Sequence, residues 1–233
     1  GSEMCIRDRR WMDEKYLSHF SYAPVDSEIK FQKPFAKTKE VVEAYPLTEG
    51  EDSKDKTYIS YNTVVDTSLN KELYVAFQIL EYVLIDNPGA PLKQALLDKE
   101  IGKDILSSYD NGILQPVFSI IAKDANEEQK DAFMDVLTST LQKLVKEGLD
   151  EQALLAAITY FEFKYREADF GSYPKGLMYG LQMFDSWLYS DTEIFTHILA
   201  NDTFAFLKQQ IKSGYFEKLI EKYLLHNAHS TIV

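Results

Sequence analysis

The chain has 233 residues, of which 45% are hydrophobic, so it is long enough and apolar enough to bury the core of one large domain or two small ones. Its 37 acidic and 25 basic residues leave a net charge of −12, which argues against binding to nucleic acid or to anionic membrane surfaces. No apolar run approaches the roughly 20 residues that a membrane-spanning helix needs, and the single cysteine, Cys5, excludes an internal disulfide framework, so we expect a cytoplasmic protein.

Residues 1–9 differ in character from the rest of the chain. The first two residues resemble the remnant of a cleaved tag, and the "EMCIRDR" that follows resembles cloning-derived sequence. We expect a non-native leader at 1–9, with an ordinary polar helix start as the alternative. Residues 10–50 are expected to form a linker helix and a first strand, and residues 51–233 the main α+β domain, which together make one domain over 10–233.

The first predicted elements are a helix and two strands. The amphipathic stretch "WMDEKYLSHF" predicts a helix over 11–20, after which Pro24 and Pro34 break the chain. The stretch "TKEVVEAYPL" at 38–47 is typical of a strand. "TYISYNTVV" predicts a second strand, because every other residue suits one buried face. The residues on that face are Ile59, Tyr61, Thr63 and Val65.

A long apolar helix is predicted to follow these strands. The stretch "DTSLNKELYVAFQILEYVLI", residues 66–85, has apolar residues at helical spacing over most of its girth, so we expect a central buried helix. Pro91 stands where it favours the start of the next helix, and Gly102 follows that helix as its end. The main apolar stripe of the central helix consists of Leu73, Phe77, Leu80 and Leu84.

A β-hairpin is predicted next. The stretches "DILSSYD" and "ILQPVFSIIAK" lie on either side of Asn111-Gly112, and Asn-Gly is the strongest short signal for a hairpin turn. We therefore expect two strands that pair antiparallel around this turn.

The remaining chain is predominantly helical in pattern. Gly148 is a natural helix stop and Asp150 a natural helix cap, so they separate two long helices. The final "HSTIV" is typical of a strand. This order of elements predicts an α+β fold in which long α-helices cover one face of a mostly antiparallel sheet. The other helices are predicted over about 126–147, 174–189, 193–212 and 214–225.

The sequence contains none of the common catalytic or nucleotide-binding motifs. There is no His-Glu-x-x-His zinc motif, no inverted His-x-x-Glu-His, no phosphate-binding Gly-x-x-x-x-Gly-Lys and no Gly-x-Ser-x-Gly elbow. The only cysteine falls in the suspected leader, which argues against a cysteine nucleophile. His19 ends the first predicted helix and His197 lies early in a later one, and we interpret both as structural or solvent-exposed residues.

The other two histidines, His226 and His229, have the spacing of two zinc ligands on one helix face. A third ligand from Glu217 or Glu221 would lie off that face, and Asn227 favours an end of the helix just before it. We therefore interpret the pair as the end of a helix. The sequence predicts no catalytic residue and no metal ligand in this chain.

The stretch "FEFKYREADFGSYPKGLMYGLQMFDSWLY" at 161–189 has a specific pattern: Glu-Phe, then Arg-Glu, Phe-Gly, Pro-Lys-Gly-Leu and Trp-Leu-Tyr. This pattern resembles the second domain of presequence-protease-type metallopeptidases, which belong to the pitrilysin/insulinase superfamily. The likeness covers about residues 11–233 and departs at 190–192, where the family has an acidic residue and a proline. We interpret six residues as a family signature with a structural role: Glu162, Arg166, Gly171, Pro174, Gly176 and Trp187.

The resemblance implies that the chain is a non-catalytic domain of a zinc-dependent oligopeptidase. Such enzymes enclose unstructured peptides in a chamber formed by four related domains, and the first domain holds the zinc. The second domain would form part of the chamber wall and support the first. The implied cofactor is therefore zinc in the parent enzyme and none in this chain, which should be inactive alone. The implied partners are the other domains of the peptidase and, for the parent, unstructured peptides.

Two other interpretations stay open. The chain could be a stand-alone protein-binding or scaffold module whose exposed aromatic residues form its partner surface, or an autonomous metal hydrolase built on His226 and His229. Stoichiometric zinc in the purified protein would favour the hydrolase. An open reading frame that continues upstream into an inverted zinc motif would favour the peptidase domain over the binding module.

Overall fold

The computed structural model describes residues 6–168 and 170–233. The expected non-native leader falls partly on residues 1–5, which lie outside this description. The chain forms two compact units, Gly1–Lys30 and Phe31–Val233.

Helix α1 (Ile6–Lys15) lies in the first unit and is followed by a single 3₁₀ turn at Leu17–His19. The prediction of a helix over 11–20 is wrong at both ends. Nothing in the preceding sequence breaks a helix, so the helix begins earlier than the amphipathic pattern. At Tyr16 the backbone, with φ −131° and ψ −63°, leaves the helical region and ends it.

One mostly antiparallel sheet organises the second unit. Within the described residues its strands are β1 (Lys39–Glu40), β2 (Thr57–Val64), β3 (Asp104–Asp110), β4 (Val117–Ala125) and β5 (Ser230–Ile232). Their order in the sheet is β1-β5-β2-β4-β3, and all neighbours are antiparallel except β1 and β5. The predicted α+β fold with a mostly antiparallel sheet is confirmed.

Helices pack on one face of this sheet, where α2, α3 and α4 contact the strands directly. The helices of the second unit are α2 (Lys71–Glu81), α3 (Pro91–Asp98), α4 (Lys130–Glu147), α5 (Glu151–Glu167), α6 (Lys175–Trp187), α7 (Asn201–Gln210) and α8 (Tyr215–Leu219). Helices α2 and α8 each continue into a π-helical turn, Tyr82–Asp86 and Ile220–Leu225. None of the described helices is long and apolar enough to cross a membrane.

Helix α2 is the central helix, as its sequence predicts. Seven of its 11 residues are buried, because apolar side chains occupy most of its girth. The ring centroid of Phe77 lies 5.6 Å from that of Phe118 on β4 and 5.6 Å from that of Tyr223 in the π turn after α8. Burying a side chain of this size contributes roughly 1.5–3 kcal/mol. Through Phe77, α2 joins the sheet to the last helix.

The first strand is much shorter than predicted. Of the stretch 38–47, only Lys39–Glu40 pairs with the sheet, through the parallel partner β5. A strand needs a paired neighbour, and β5 offers only three residues. The N–H of Val41 still donates to the carbonyl of Ile232 at 2.9 Å, after which the chain leaves the sheet.

Strands β3 and β4 form the predicted hairpin, but its turn is longer than an Asn-Gly turn. Asp110 pairs with Val117, so residues 111–116 form the connection. Pro116 has no N–H to contribute to a ladder, and its carbonyl accepts a hydrogen bond from the N–H of Val65 at 2.7 Å. The connection is therefore held by the segment that follows β2.

Two predicted helix boundaries are confirmed. Helix α4 ends at Gly148, whose φ of 89° is rarely adopted by residues with a side chain. The carboxylate of Asp150 accepts hydrogen bonds from the N–H groups of Gln152 and Ala153, at 2.8 and 3.2 Å, and so caps α5. The junction between the two long helices thus follows from local sequence.

The helix predicted over 193–212 is shorter than expected, because α7 begins only at Asn201. Residues 194–198, which precede it, form turns. The carbonyl of Glu193 accepts a hydrogen bond from the hydroxyl of Ser186 at 2.5 Å. Since Ser186 belongs to α6, this segment is held against α6 and does not continue α7.

Candidate functional site

The stretch 161–189 begins within α5 and ends just after α6, and this helix pair is the candidate functional site. Helix α5 ends at Ala168, whose φ of 47° is left-handed. Pro174 immediately precedes α6, where its fixed φ suits the start of a helix. The local sequence therefore ends one helix and begins the next.

Glu162 and Arg166 form the ion pair that their spacing predicts. Nη2 of Arg166 lies 2.7 Å from Oε1 of Glu162. The side chain of Glu162 is only 11% exposed, and its Oε2 lies 2.5 Å from Nζ of Lys208 on α7. A carboxylate withdrawn from water needs such partners. Lys208 completes the cluster, although it lies 46 residues away in sequence.

The two signature glycines differ in whether their backbone conformation requires glycine. Gly171 has a φ of 59°, so a side chain there would be strained. Gly176 has no positive φ, and a Cβ built on it would meet no described atom within 4 Å. Within the described chain, Gly171 has a conformational reason to be glycine and Gly176 has none.

Trp187, at the end of α6, lies on the surface. Its ring stacks on that of Phe184 with centroids 5.7 Å apart and planes inclined by 5°, and both side chains remain partly exposed. The structure therefore does not gather the six signature residues into one site. It divides them among an ion cluster around the buried Glu162, the segment before α6, the first turn of α6 and an exposed aromatic pair.

A cavity of about 460 Å³ lies between α2, α5 and α6. Its volume would hold a small ligand or a short part of a peptide. None of the six signature residues is among the described residues that line it. Its polar lining comes from Tyr74, Gln78, Asn111, Lys164, Tyr165, Gln182 and Asp185.

Asp185 is the acidic group of this cavity. Its Oδ2 accepts a hydrogen bond from the hydroxyl of Tyr74 at 2.7 Å, which ties α6 to α2. Burial raises the pKa of Asp185 above its usual range and also raises the pKa of Tyr74. Burial raises the pKa of Tyr165 to about 12 as well. Both tyrosines keep their protons at neutral pH, so the cavity offers hydrogen bonds more readily than proton transfer.

His197 is buried next to Tyr74. The side chain is 2% exposed, and its ring stacks on that of Tyr74 with centroids 3.7 Å apart. Burial lowers the pKa of His197 to about 4, although the backbone of Ser68 opposes this change. Neither ring nitrogen has a hydrogen-bond partner among the described residues. The prediction that His197 lies in a helix is wrong, and the residue packs as a neutral ring in a turn.

The C-terminal histidines do not form a metal site in the part of the chain that the structure describes. The helical stretch ends at Leu225, as predicted, and His226 is its C-cap. The ring of His229 packs edge-on against that of Phe35, with centroids 4.6 Å apart. No group of three His, Cys, Asp or Glu among the described residues could hold a metal ion. These residues therefore do not fit the zinc that the resemblance assigns to the parent enzyme.

The face of the sheet opposite the helices has a row of small polar side chains. Its members are register partners across β3, β4, β2 and β5, and partners in register share a face. Nδ2 of Asn62 donates to Oγ1 of Thr231 at 3.2 Å within this row. The polar row consists of Ser108, Ser119, Asn62 and Thr231.

Comparison with known protein families identifies the family of this chain. Residues 10–161 match the family described as Peptidase M16 inactive domain, so the chain belongs to this family. The match confirms the resemblance to pitrilysin/insulinase-type peptidases. The parent family is one of zinc proteases.

Two relatives extend this likeness over nearly the whole chain. Protein HypA of Clostridium perfringens (strain 13 / Type A) is 39% identical over 227 residues, which cover 97% of this chain and 23% of the relative. Presequence protease 1, chloroplastic/mitochondrial, of Arabidopsis thaliana is 33% identical over 227 residues, which cover 94% of this chain and 21% of the relative. The chain thus spans about a fifth of the length of these relatives.

A solved structure supports the fold. The crystal structure of a protease from Helicobacter pylori matches with a TM-score of 0.61 and 15% sequence identity, over 97% of this chain and 51% of that one. A likeness at this level of identity shows the fold alone.

Sequence analysis did not identify the group formed by Tyr74, Asp185 and His197. Tyr74 lies in a helix that is apolar over most of its girth, where a hydroxyl is inconspicuous. One signal was available, because Asp185 is the only acidic residue in the mostly apolar sequence of α6. A lone acid on such a helix indicates a polar partner in the fold.

Proposed function

We propose that this chain is a non-catalytic domain of a zinc-dependent oligopeptidase, in which it forms part of the chamber wall and supports the zinc-bearing first domain. The observation that carries this proposal is the match with a presequence protease, which covers 94% of this chain but 21% of that protein. A region embedded in a much longer polypeptide acts together with the rest of it. Unstructured peptides would be the substrates of the intact enzyme.

We assign the chamber-facing surface to the polar row on the free face of the sheet. Hydroxyl and amide groups can hydrogen-bond a peptide backbone without selecting its side chains. The four members of the row are uncharged, and Lys39 on β1 is the next register partner of Thr231. The net charge of −12 would favour basic peptides. Such a wall suits an enzyme that accepts many peptide sequences.

The variant Ser119→Arg in the intact polypeptide tests this assignment. A long charged side chain in the middle of the polar row would occupy space that a peptide needs, so we expect kcat/KM for an unstructured peptide to fall roughly tenfold. The matched control is Ser139→Arg on the exposed surface of α4, which should stay within about twofold of the wild type. Equal activities of the two variants, at equal thermal stability, would refute the assignment.

We also propose structural roles for the signature residues. Glu162 and Arg166 would fix α5 against α7, and Gly171 and Pro174 would shape the start of α6. On this proposal no residue of the chain is catalytic or binds metal. Residues 51–233 would be the main α+β domain, and residues 10–50 would form its linker helix and first strand. The sequence of the complete gene tests whether a zinc-bearing domain precedes this one. A reading frame without an inverted zinc motif upstream would contradict the proposal.

A further inference from the structure

Helix α6 and its C-cap residue expose an apolar stripe, formed by Leu177, Leu181, Phe184 and Leu188. These residues follow the i, i+4, i+7, i+11 spacing and therefore lie within about 60° of arc on the helix surface. They are 53%, 51%, 43% and 63% exposed, respectively. On the opposite side of this fully described helix lies Ser186, its one buried residue.

The α6 stripe has the composition of an interface centre. The two charged residues of α6, Lys175 and Asp185, are both engaged within the chain. Nζ of Lys175 donates to the carbonyl of Glu167 at 3.0 Å, and Asp185 binds the hydroxyl of Tyr74. The stripe itself carries no charge. Interface centres are depleted of charged residues and enriched in aromatic residues and Met, which α6 also contains.

Two glycines flank the α6 stripe. A Cβ built on Gly176 or on Gly180 would meet no described atom within 4 Å, and neither residue has a positive φ. Glycine lowers helix propensity, so its presence twice in one exposed helix needs a reason. Nothing in the described chain supplies one. A surface that approaches the helix backbone from outside this chain would.

We propose that the α6 stripe is the surface through which this domain docks onto the part of its own polypeptide that lies outside these 233 residues. The inference rests on the proposed function. About four-fifths of the length of the matched relatives lies outside the region that corresponds to this chain. An exposed apolar stripe of this length is unusual on a free surface and typical of one that is covered. The occupant is therefore an apolar, uncharged surface of that remaining polypeptide.

Photocrosslinking in the intact polypeptide tests the occupant. A benzophenone amino acid replaces Phe184 in one protein and, as the control, Leu155 on α5, which is 49% exposed. We expect the Phe184 position to give a product of monomer mass that joins α6 to peptides outside residues 1–233, and the Leu155 position to give none. Products of dimer mass would mean that a second copy is the occupant and would overturn the proposal. Links only within residues 1–233, equal labelling from both positions, or no product would also overturn it.

The variant Leu177→Glu, made both in the 233-residue chain and in the intact polypeptide, provides an independent test. In the chain alone the residue is half exposed, so the urea midpoint should match that of the wild type. In the intact polypeptide we expect protease cleavage next to this domain to become roughly tenfold faster, because undocking exposes its boundaries. The same loss in both proteins, or in neither, would overturn the proposal. Crosslinking and protease cleavage can both be measured without peptide hydrolysis by the intact polypeptide. If the intact polypeptide hydrolyses no peptide, the proposed function is overturned, but these two measurements still decide whether the α6 stripe is a docking surface.

Discussion

Two buried polar side chains, Glu162 and His197, are accommodated in opposite ways. Arg166 and Lys208 each hold one oxygen of Glu162. His197 stays neutral because it has no such partners, and it gains its contacts by stacking on Tyr74. Burying a charge requires counter-charges, whereas burying a neutral ring requires only packing. Replacing Glu162 should therefore leave two cations without their partner, whereas His197 should make stability depend on pH.

Replacing Glu162 should destabilise the protein. In Glu162→Gln the neutral amide can no longer pair with two cations, so we expect a loss of about 1–3 kcal/mol in the free energy of unfolding. The control is Glu147→Gln, which removes an exposed partner of Lys143 at 3.9 Å and should change stability by less than about 0.5 kcal/mol. Urea unfolding of both variants measures the difference. Losses of similar size would show that the buried cluster contributes no more than a surface pair.

His197 should make the protein less stable in mild acid. Its pKa in the folded protein, about 4, lies below the ordinary value of 6.5. The unfolded chain therefore binds more protons between these values, and stability falls as the pH decreases through this window. From about pH 7.5 to about pH 5.5, His197 should account for a loss of about 1.3 kcal/mol.

The variant His197→Phe isolates this contribution, because it keeps an aromatic ring but takes up no proton. Urea unfolding at about pH 7.5 and at about pH 5.5 gives the free energy of unfolding that is lost between them, and this loss should be smaller in the variant by about 1.3 kcal/mol. Burial raises the pKa of Glu81 to about 6, which has the opposite effect on stability. Glu81 is present in both proteins, so its effect cancels in the comparison. Identical losses in the two proteins would contradict the role of His197.

Among the secondary-structure elements, α6 is held differently from its neighbours. Helix α2 is fixed by apolar burial on most of its girth, whereas the one buried residue of α6 is Ser186. Polar contacts hold α6 in its place. The hydroxyl of Tyr74 binds Asp185, and the hydroxyl of Ser186 binds the carbonyl of Glu193. A helix attached in this way should open locally without unfolding the core.

Removing the anchor of α6 should increase its local opening. In Asp185→Ala the hydroxyl of Tyr74 loses its acceptor, so we expect amide hydrogen exchange over 175–187 to become roughly tenfold faster. Exchange in β2 and β4 should not change, because the core is untouched. Asp191→Ala, at an exposed position after α6, is the matched control and should exchange like the wild type. Faster exchange throughout the chain would mean that Asp185 supports the whole fold.

Taken as a whole, the second unit is one sheet with helices on one face and a polar row on the other. The helix face supplies stability through a continuous core that includes α2, α4, α5 and α8. The polar row and the α6 stripe are the surfaces that we propose for contacts beyond this chain. On this proposal, stability and interaction depend on different surfaces of the molecule.

The 233-residue chain should not bind zinc stoichiometrically. Zinc sites in proteins use at least three protein ligands, and the described residues offer no group of three. After gel filtration in zinc-containing buffer, metal analysis should find less than about 0.1 zinc ion per chain. His226→Ala should give the same value. One zinc per chain that is lost in this variant would favour the hydrolase interpretation.

The sequence by itself determined the features that depend on neighbouring residues. Apolar spacing predicted the central helix, and its burial is confirmed. Gly148 and Asp150 predicted a helix junction because a positive φ and a capping carboxylate act within a few residues. The same locality made the Glu162–Arg166 pair predictable.

Only the tertiary structure decided the features that depend on residues far apart in sequence. Strand β1 is short because its partner β5, at the other end of the chain, has three residues. Lys208 reaches Glu162 across 46 positions, and Asp185 meets Tyr74 across 111. The exposure of the α6 stripe could not be predicted either, because an apolar helix face looks the same in sequence whether its partner lies inside the chain or outside it. Local patterns define which elements form, and long-range contacts decide which of their faces are left for function.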